Sequence, residues 1–368
     1  MKIPFADIKR QYHSIQTEVH EAINEVLNDT AFIRGKYVNR FEENFSKMYG
    51  VKNVIGVGNG TDAIYLALRA LDIGPEDEVI TVCNSWISTS EVIGQVGAKV
   101  KFIDIESDNF NIDVNLVERE ISEKTKAIIP VHLYGQPVKN FDKLVRIAEK
   151  YSLYIIEDCA QAVFAKYKDS YVGTIGDIAT ISFYPGKNLG AYGDAGVVIS
   201  NNDELSKKVR MLANHGQEKK HTHIYEGINS RMDGLQGNII NLKLNYILDW
   251  TKRRQEIAKI YDQNLSGIKD LIIPKVDPNS THVYHLYVVC AKKRNDLQSF
   301  LKDNGIGTAL HYPNILPLLD CYKHLKLSGN DFPVGKRLSS EILSLPMFPE
   351  MTQDEIKYVC DRIREFYI

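Results

Sequence analysis

Lys187 is the residue of this sequence whose surroundings most need a chemical explanation. It stands in Ser182-Phe183-Tyr184-Pro185-Gly186-Lys187-Asn188-Leu189-Gly190, directly after an apolar run and framed by Pro185, Gly186, Gly190, Gly193 and Gly196. A lysine in such a loop is held at a sheet edge. Burial or nearby cations that lower its pKa make its amine a nucleophile toward carbonyl carbon. A solvated surface lysine is the ordinary alternative, but it leaves the Pro/Gly frame without a purpose. A second apolar run ends in Glu157-Asp158-Cys159-Ala160-Gln161. Strand alternation sends Glu157 and Asp158 to opposite faces, and Asp158 is placed to keep a heterocyclic nitrogen protonated; the competing use is a helix cap. Gly58-Asn59-Gly60-Thr61-Asp62-Ala63 follows a third run and opens a helix. Small residues at a helix N-terminus let backbone N–H groups approach an anion, although a plain cap by Asn59 or Thr61 fits equally well. Ser182 could donate to a phosphate. Trp86, in Cys83-Asn84-Ser85-Trp86-Ile87-Ser88, could stack on a flat ring or fill the core.

The elements that must position these residues are legible as short β-rich runs: Asn53–Val57, Glu78–Val82, Lys99–Ile105, Lys126–His132, Tyr154–Asp158, Ala179–Phe183 and Gly196–Ser200. Helical periodicity lies between most of them, as in Ala63–Leu71, Phe141–Tyr151 and Glu204–Leu212. That alternation predicts an α/β domain with a mainly parallel, seven-stranded sheet sandwiched by helices. In such sheets ligands bind beyond the carboxyl ends of the strands, where Asn59, Trp86, Asp158 and Lys187 all stand. Ile8–Leu27 and Tyr37–Met48 have helical spacing and could form an N-terminal cover. Leu235–Asn264 reads as one long helix or two consecutive ones, leading into a smaller C-terminal α/β domain in which Val283–Cys290 alternates like a strand. The expected division is 1–245 for the large domain and 246–368 for the small one.

Composition removes several classes of function. A hydrophobic share of 44% with 25% charged residues is that of a chain that folds throughout. A formal charge of -2 with interleaved signs gives no basis for nucleic-acid or anionic-membrane binding. No apolar stretch approaches a membrane span and the N-terminus lacks a signal-peptide run, so a cytoplasmic enzyme is expected. Cys83, Cys159, Cys290, Cys321 and Cys360 are scattered, without metal-ligand spacing; they are expected to be buried reduced thiols, and no metal is expected.

Taken together and in this order, Asn59-Gly60-Thr61-Asp62-Ala63, Glu157-Asp158-Cys159-Ala160-Gln161 and Ser182 to Gly190 resemble the sugar aminotransferases of the DegT/DnrJ/EryC1/StrS family, along essentially the whole chain. The resemblance implies the pyridoxal-phosphate-dependent transferase fold of type I. It implies pyridoxal 5'-phosphate as cofactor and pyridoxamine 5'-phosphate as its other form. On the family's pattern Lys187 forms the Schiff base and shuttles the proton, and Asp158 pairs with the ring nitrogen. Gln161 faces the phenolic oxygen, Gly60, Thr61 and Ser182 hold the phosphate, and Trp86 covers one ring face. Asn229 reaches the phosphate from the neighbouring subunit, which implies a homodimer with shared sites. Arg231, His311 and Tyr312 match substrate-binding positions; from composition alone His311-Tyr312-Pro313 reads as a loop turn.

The implied reaction carries an amino group from L-glutamate to a nucleotide-linked keto-sugar. Lysine at 187, where a minority of relatives have histidine, argues for amination over dehydration. Gln161 and the Lys187-Asn188-Leu189-Gly190 run resemble the C-3 branch more than the C-4 branch. His215-Gly216-Gln217 with Asn229-Ser230-Arg231 resembles enzymes acting on UDP-2-acetamido-2-deoxy-3-oxo-glucuronate, where Arg231 could grip a carboxylate. Relatives acting on dTDP-3-keto-6-deoxyhexoses also carry that arginine. Either product would feed surface polysaccharide or glycoconjugate synthesis. A non-catalytic cofactor-binding regulator on the same fold is the rival reading, and it predicts damage at the lysine or the acid. An amino-acid aminotransferase would instead want a carboxylate-gripping arginine in the small domain, and Arg294, Arg337, Arg362 and Arg364 fall in no such motif.

Overall fold

The structure, a computed structural model, describes residues 1–368. Its strands in chain order are β1 (Asn53–Val57), β2 (Glu78–Val82), β3 (Lys99–Ile103), β4 (Thr125–Ile129), β5 (Tyr154–Asp158), the hairpin β6 (Lys166–Tyr167) and β7 (Ser170–Tyr171), then β8 (Ile178–Ser182) and β9 (Gly196–Ser200). Seven of them form one sheet in the order β1-β9-β8-β5-β4-β2-β3. The pairings from β3 across to β8 are parallel, and β9 runs antiparallel to both of its neighbours. β2 and β9 are buried along their whole length, as expected for strands covered on both faces. The seven expected strands are all present, four with the expected bounds and three with ends shifted by one to three residues.

The reversed strand shapes the sheet edge where its neighbours end. Because β9 runs against them, its first residue lies at that edge: Gly196 is in register with Val57 of β1 and with Ser182 of β8. A Cβ at Gly196 would fall 2.7 Å from the carbonyl carbon of Asn59, so only glycine lets the turn after β1 lie over this edge.

The N-terminal cover is two helices, Ile8–Ser14 and Gln16–Asp29, followed by Lys36–Tyr49. The long C-terminal periodicity resolves into Gly234–Lys243 and Ile247–Leu265. The hairpin β10 (Gln217–Lys219) and β11 (Thr222–His223) precedes those two helices. Beyond them lie the short strands β12 (Leu271–Ile272), β13 (Ser280–Thr281), β14 (Tyr287–Ala291) and β15 (Ile342–Leu345). β12, β14 and β15 form a second, antiparallel sheet. The strand expected over Val283–Cys290 starts later, at Tyr287. The first residues of that run bond instead to the large sheet's loops, with Val283 N donating to Gly135 O and Leu286 N to Tyr134 O, and pairing with β15 begins only at Tyr287.

Two apolar clusters underlie the two sheets, the larger built on the seven-stranded sheet and the smaller on Ile257, Tyr261, Tyr287, Leu297, Leu343 and their neighbours. Ile3, 1% exposed, packs into the smaller cluster. It is pinned by Ile3 N to Gly305 O and Gly307 N to Ile3 O, each 2.8 Å. Cysteine burial holds at four positions, but Cys321 is exposed, because it lies in the surface 3-10 turn Asp320–Leu325. No helix is long and apolar enough to cross a membrane.

Candidate active site

β1, β2, β5 and β8 deliver their last residues to one edge, and the candidate site is built there. The helix Gly60–Ala70 starts immediately after β1 and is capped by Asn59, whose side chain accepts from Asp62 N at 2.8 Å. The cap that the sequence offered as the alternative is present at Asn59, and it still leaves the N–H groups of Gly60 and Thr61 without an intrahelical acceptor. Thr61 Oγ1 and Ser88 Oγ share a 2.7 Å hydrogen bond. A Cβ on Gly60 would come within 2.6 Å of Ser182 Cβ. The helix start and the end of β8 thus touch, bringing Gly60, Thr61 and Ser182 into one cradle of N–H and O–H donors, the chemistry a phosphate requires.

Asp158 closes β5 and is buried. Thr89 Oγ1 donates to its Oδ2 at 2.8 Å, and Ala160 N donates to its Oδ1 at 3.0 Å. Each oxygen keeps a lone pair for a further donor. Glu157 turns the other way, as alternation requires. It accepts from Gly173 N, Ile175 N and Gly176 N at 2.6–2.9 Å and pairs with His132 Nε2 at 2.9 Å. His132 Nδ1 in turn accepts from Val138 N at 3.1 Å. His132, Glu157 and Cys159 lie close enough to suggest a metal site. Both carboxylate oxygens and both ring nitrogens are already committed to protein partners, so the cluster is a clamp on the 173–176 turn.

Lys187 stands in the turn after β8, with its N–H donating to Tyr184 O at 2.8 Å and its side chain surrounded by protein but still partly open to solvent. Burial lowers its pKa to about 8, partly offset by the carboxylate of Asp158. The next residue, Asn188, fixes the turn, donating from Nδ2 to Val283 O at 3.0 Å while its Oδ1 lies 3.2 Å from His285 Nδ1. Burial and then the charge of Lys187 push His285 well below its usual pKa, and the same causes bring His311 to about 4. Both imidazoles facing the lysine are neutral near pH 7.

Gln161 is buried. Its Oε1 accepts from Tyr134 N at 2.7 Å and its Nε2 donates to Tyr312 Oη at 3.1 Å. Tyr134 Oη donates to the carbonyl of His311, and His311 Nδ1 shares a 2.8 Å hydrogen bond with Ser344 Oγ. His311 and Tyr312 are therefore tied into the site and are not a free loop turn. Trp86 is 60% exposed, which excludes core filling, and its ring centroid lies 5.9 Å from that of Tyr312.

Two of the expected residues make no hydrogen bond to the others within the single chain, although Ser230 between them accepts from Gly58 N at 3.0 Å, beside the cradle. Asn229 is exposed and pairs through its backbone with Asn214. Arg231 is half-buried, with its Nε lacking a partner. It lies toward Arg34, whose pKa is lowered by burial and by the charges of Arg210 and Arg231 against the opposing Glu42. Sequence reading missed Thr89, Tyr134, Asn188 and His285. Thr89 carried a signal, standing in the hydroxyl run Ser88-Thr89-Ser90 just after Trp86, whereas Tyr134 and His285 meet the site only through the tertiary fold.

The arrangement fits a phosphorylated heterocyclic aldehyde. It offers an anion cradle, a carboxylate with a vacant lone pair for a ring N–H, a lysine of lowered pKa, and an exposed aromatic at the strand end. Comparison with known proteins points to the same chemistry. The family model described as "DegT/DnrJ/EryC1/StrS aminotransferase family" matches residues 13–364. A pleiotropic regulatory protein of Geobacillus stearothermophilus is 42% identical, over 100% of this chain and 99% of its own. The dTDP-3-amino-3,6-dideoxy-alpha-D-galactopyranose transaminase of Aneurinibacillus thermoaerophilus is 40% identical over 99% of each chain. The UDP-2-acetamido-2-deoxy-3-oxo-D-glucuronate aminotransferase of Pseudomonas aeruginosa is 37% identical over 97% of this chain and 98% of its own. Among solved structures, S. venezuelae DesV superposes with a TM-score of 0.97 at 35% identity, covering 100% of this chain and 98% of that one. NtdA from Bacillus subtilis with bound PMP superposes with a TM-score of 0.92 at 30% identity, covering 99% of this chain and 85% of that one.

Proposed function

The chain belongs to the DegT/DnrJ/EryC1/StrS aminotransferase family, and from that premise we propose that it transfers an amino group from L-glutamate to C-3 of a nucleotide-linked keto-sugar, using pyridoxal phosphate. The observation that carries this reading is the lowered pKa of Lys187 at the same sheet edge as the doubly supported Asp158 and the Gly60–Ser182 cradle. The cofactor, when bound, supplies an electron sink for the substrate carbon and carries the amino group from donor to acceptor. Gly60 and Thr61 N–H groups with the hydroxyls of Thr61 and Ser182 would bind its phosphate. Asp158, oriented by Thr89, would hold the proton on its ring nitrogen. Gln161, fixed by Tyr134, would donate toward its phenolic oxygen, and Trp86 would shield one face from water. Lys187 would hold the aldehyde carbon between turnovers and, as a free amine during turnover, move the proton at the substrate carbon.

Support for C-3 comes from Gln161 and from the Aneurinibacillus and Pseudomonas enzymes, whose names place the nitrogen or oxo group at C-3. The sugar is a dTDP-3-keto-6-deoxyhexose or a UDP-2-acetamido-3-oxo sugar, with Arg231, His311 and Tyr312 as its binding residues. Asn229, exposed in the single chain, completes the phosphate site of a partner subunit in a homodimer. A regulatory role without catalysis is the second reading, favoured by the name of the 42% relative and opposed by the intact Lys187 and Asp158. A panel of UDP- and dTDP-linked 3-keto and 4-keto sugars offered with L-glutamate, with NMR assignment of the aminated carbon, decides among these. Amination at C-4 would overturn the C-3 reading, and no amination of any sugar would favour the regulator.

A further inference from the structure

Lys243, the last residue of the helix Gly234–Lys243, is fully buried yet has no carboxylate within ion-pair distance. Enclosing an ammonium without an acid is costly, and an apolar residue of the same length would fill the space without that cost. What such a residue could not do is donate. The three N–H bonds of Lys243 meet three acceptors: the carbonyl of Gly190 at 2.7 Å, Gln11 Oε1 at 3.2 Å, and the face of Tyr192, whose centroid lies 4.1 Å away.

Gly190 ends the turn that carries Lys187. A Cβ there would fall 2.3 Å from Pro185 O, so the turn closes on itself with the lysine at its middle. Ala191 N then bonds Phe183 O at 2.7 Å, but no backbone N–H donates to the Gly190 carbonyl. One helical face also supplies Gln236, seven positions before Lys243, whose Oε1 accepts from Tyr192 N at 2.8 Å. We propose that Lys243 is a positioning residue for Lys187, its ammonium fixing the Gly190 carbonyl and thereby the turn from which the reactive amine projects. Asn188 holds the other side of that turn through Val283 O. Burial lowers Lys243 to about 8 against the opposing charge of Glu350, consistent with a charge kept in an unfavourable place by the bonds it makes.

The inference rests on the reading of Lys187 as the residue that holds the cofactor, and its test separates the two. Lys243→Met and Gln11→Leu are purified with pyridoxal phosphate and checked for folding by far-UV circular dichroism. The single-turnover rate with L-glutamate, its saturation constant and the visible circular dichroism of the bound cofactor are then measured. Lys243→Met should slow the half-reaction about ten-fold or more, because small displacements of a reacting group cost rate steeply. The saturation constant should change by less than about two-fold, and the visible dichroism should differ from wild type, since uniform binding is untouched. Gln11→Leu, losing one acceptor of three, should show the same change at smaller size. A folded Lys243→Met with wild-type rate and dichroism overturns the proposal. So does a wild-type Gln11→Leu if the methionine variant does not fold. A wild-type protein with no cofactor band or no response to glutamate would instead remove the functional reading on which the proposal stands.

Discussion

Burial disfavours the charged form of Lys187 more than Asp158 supports it, which lowers its pKa to about 8. The nucleophile is the neutral amine, so capture of pyridoxal phosphate by cofactor-free protein should quicken about ten-fold per pH unit below that value and level off above it. A stopped-flow absorbance profile from pH 6 to 9 checks both slope and plateau; a flat profile would contradict the assignment. Lys187→Ala should abolish turnover with glutamate and keto-sugar. Asp158→Asn preserves the shape but loses the charge that, on the proposed reading, would hold the ring proton, so kcat should fall about 100-fold or more, measured by steady-state transamination. These residues were legible in the sequence because each stands directly after a strand, where a short motif fixes position. Tyr134 and His285 were not, since they meet Gln161, His311 and Asn188 only through contacts between segments distant in sequence, with no motif of their own.

The strand ends are set by two close approaches that only glycine allows. Gly60→Ala would drive a methyl group to 2.6 Å from Ser182 Cβ, so cofactor affinity should weaken about ten-fold or more, equivalent to 1.4 kcal/mol, as read by fluorescence titration. Glu157 supports β5 from behind. Glu157→Gln would turn an amide N–H₂ toward N–H donors that a carboxylate now satisfies, and should destabilise the fold by about 2–4 kcal/mol in urea unfolding. The strands themselves were readable as apolar runs because parallel strands buried on both faces have no polar alternation to blur them. Val283–Cys290 misled for the complementary reason. An alternating run fits a strand or a buried connecting segment, and Val283–Leu286 is claimed by Gly135 and Tyr134 before any strand can start.

At the scale of the molecule the N-terminal residues belong to the C-terminal core, through Ile3 and through Arg10, which pairs with Glu355 of the capped final helix at 2.7 Å. No sequence pattern announces such a contact between chain ends. Ile3→Ala should cost about 2–4 kcal/mol, again by urea unfolding. The proposed homodimer makes a further demand. Lys187→Ala and Asn229→Ala proteins, each impaired alone, should regain activity when unfolded and refolded together, since a mixed dimer contains one site with both residues intact. Absence of recovery would place Asn229 in its own chain's site. The central claim, that this chain is a lysine-dependent aminotransferase, is tested most directly by adding L-glutamate to the purified, pyridoxal-phosphate-loaded protein and following the visible spectrum. The account predicts that the lysine-linked band gives way to that of pyridoxamine phosphate with release of 2-oxoglutarate. A band that stays unchanged under saturating glutamate would contradict it.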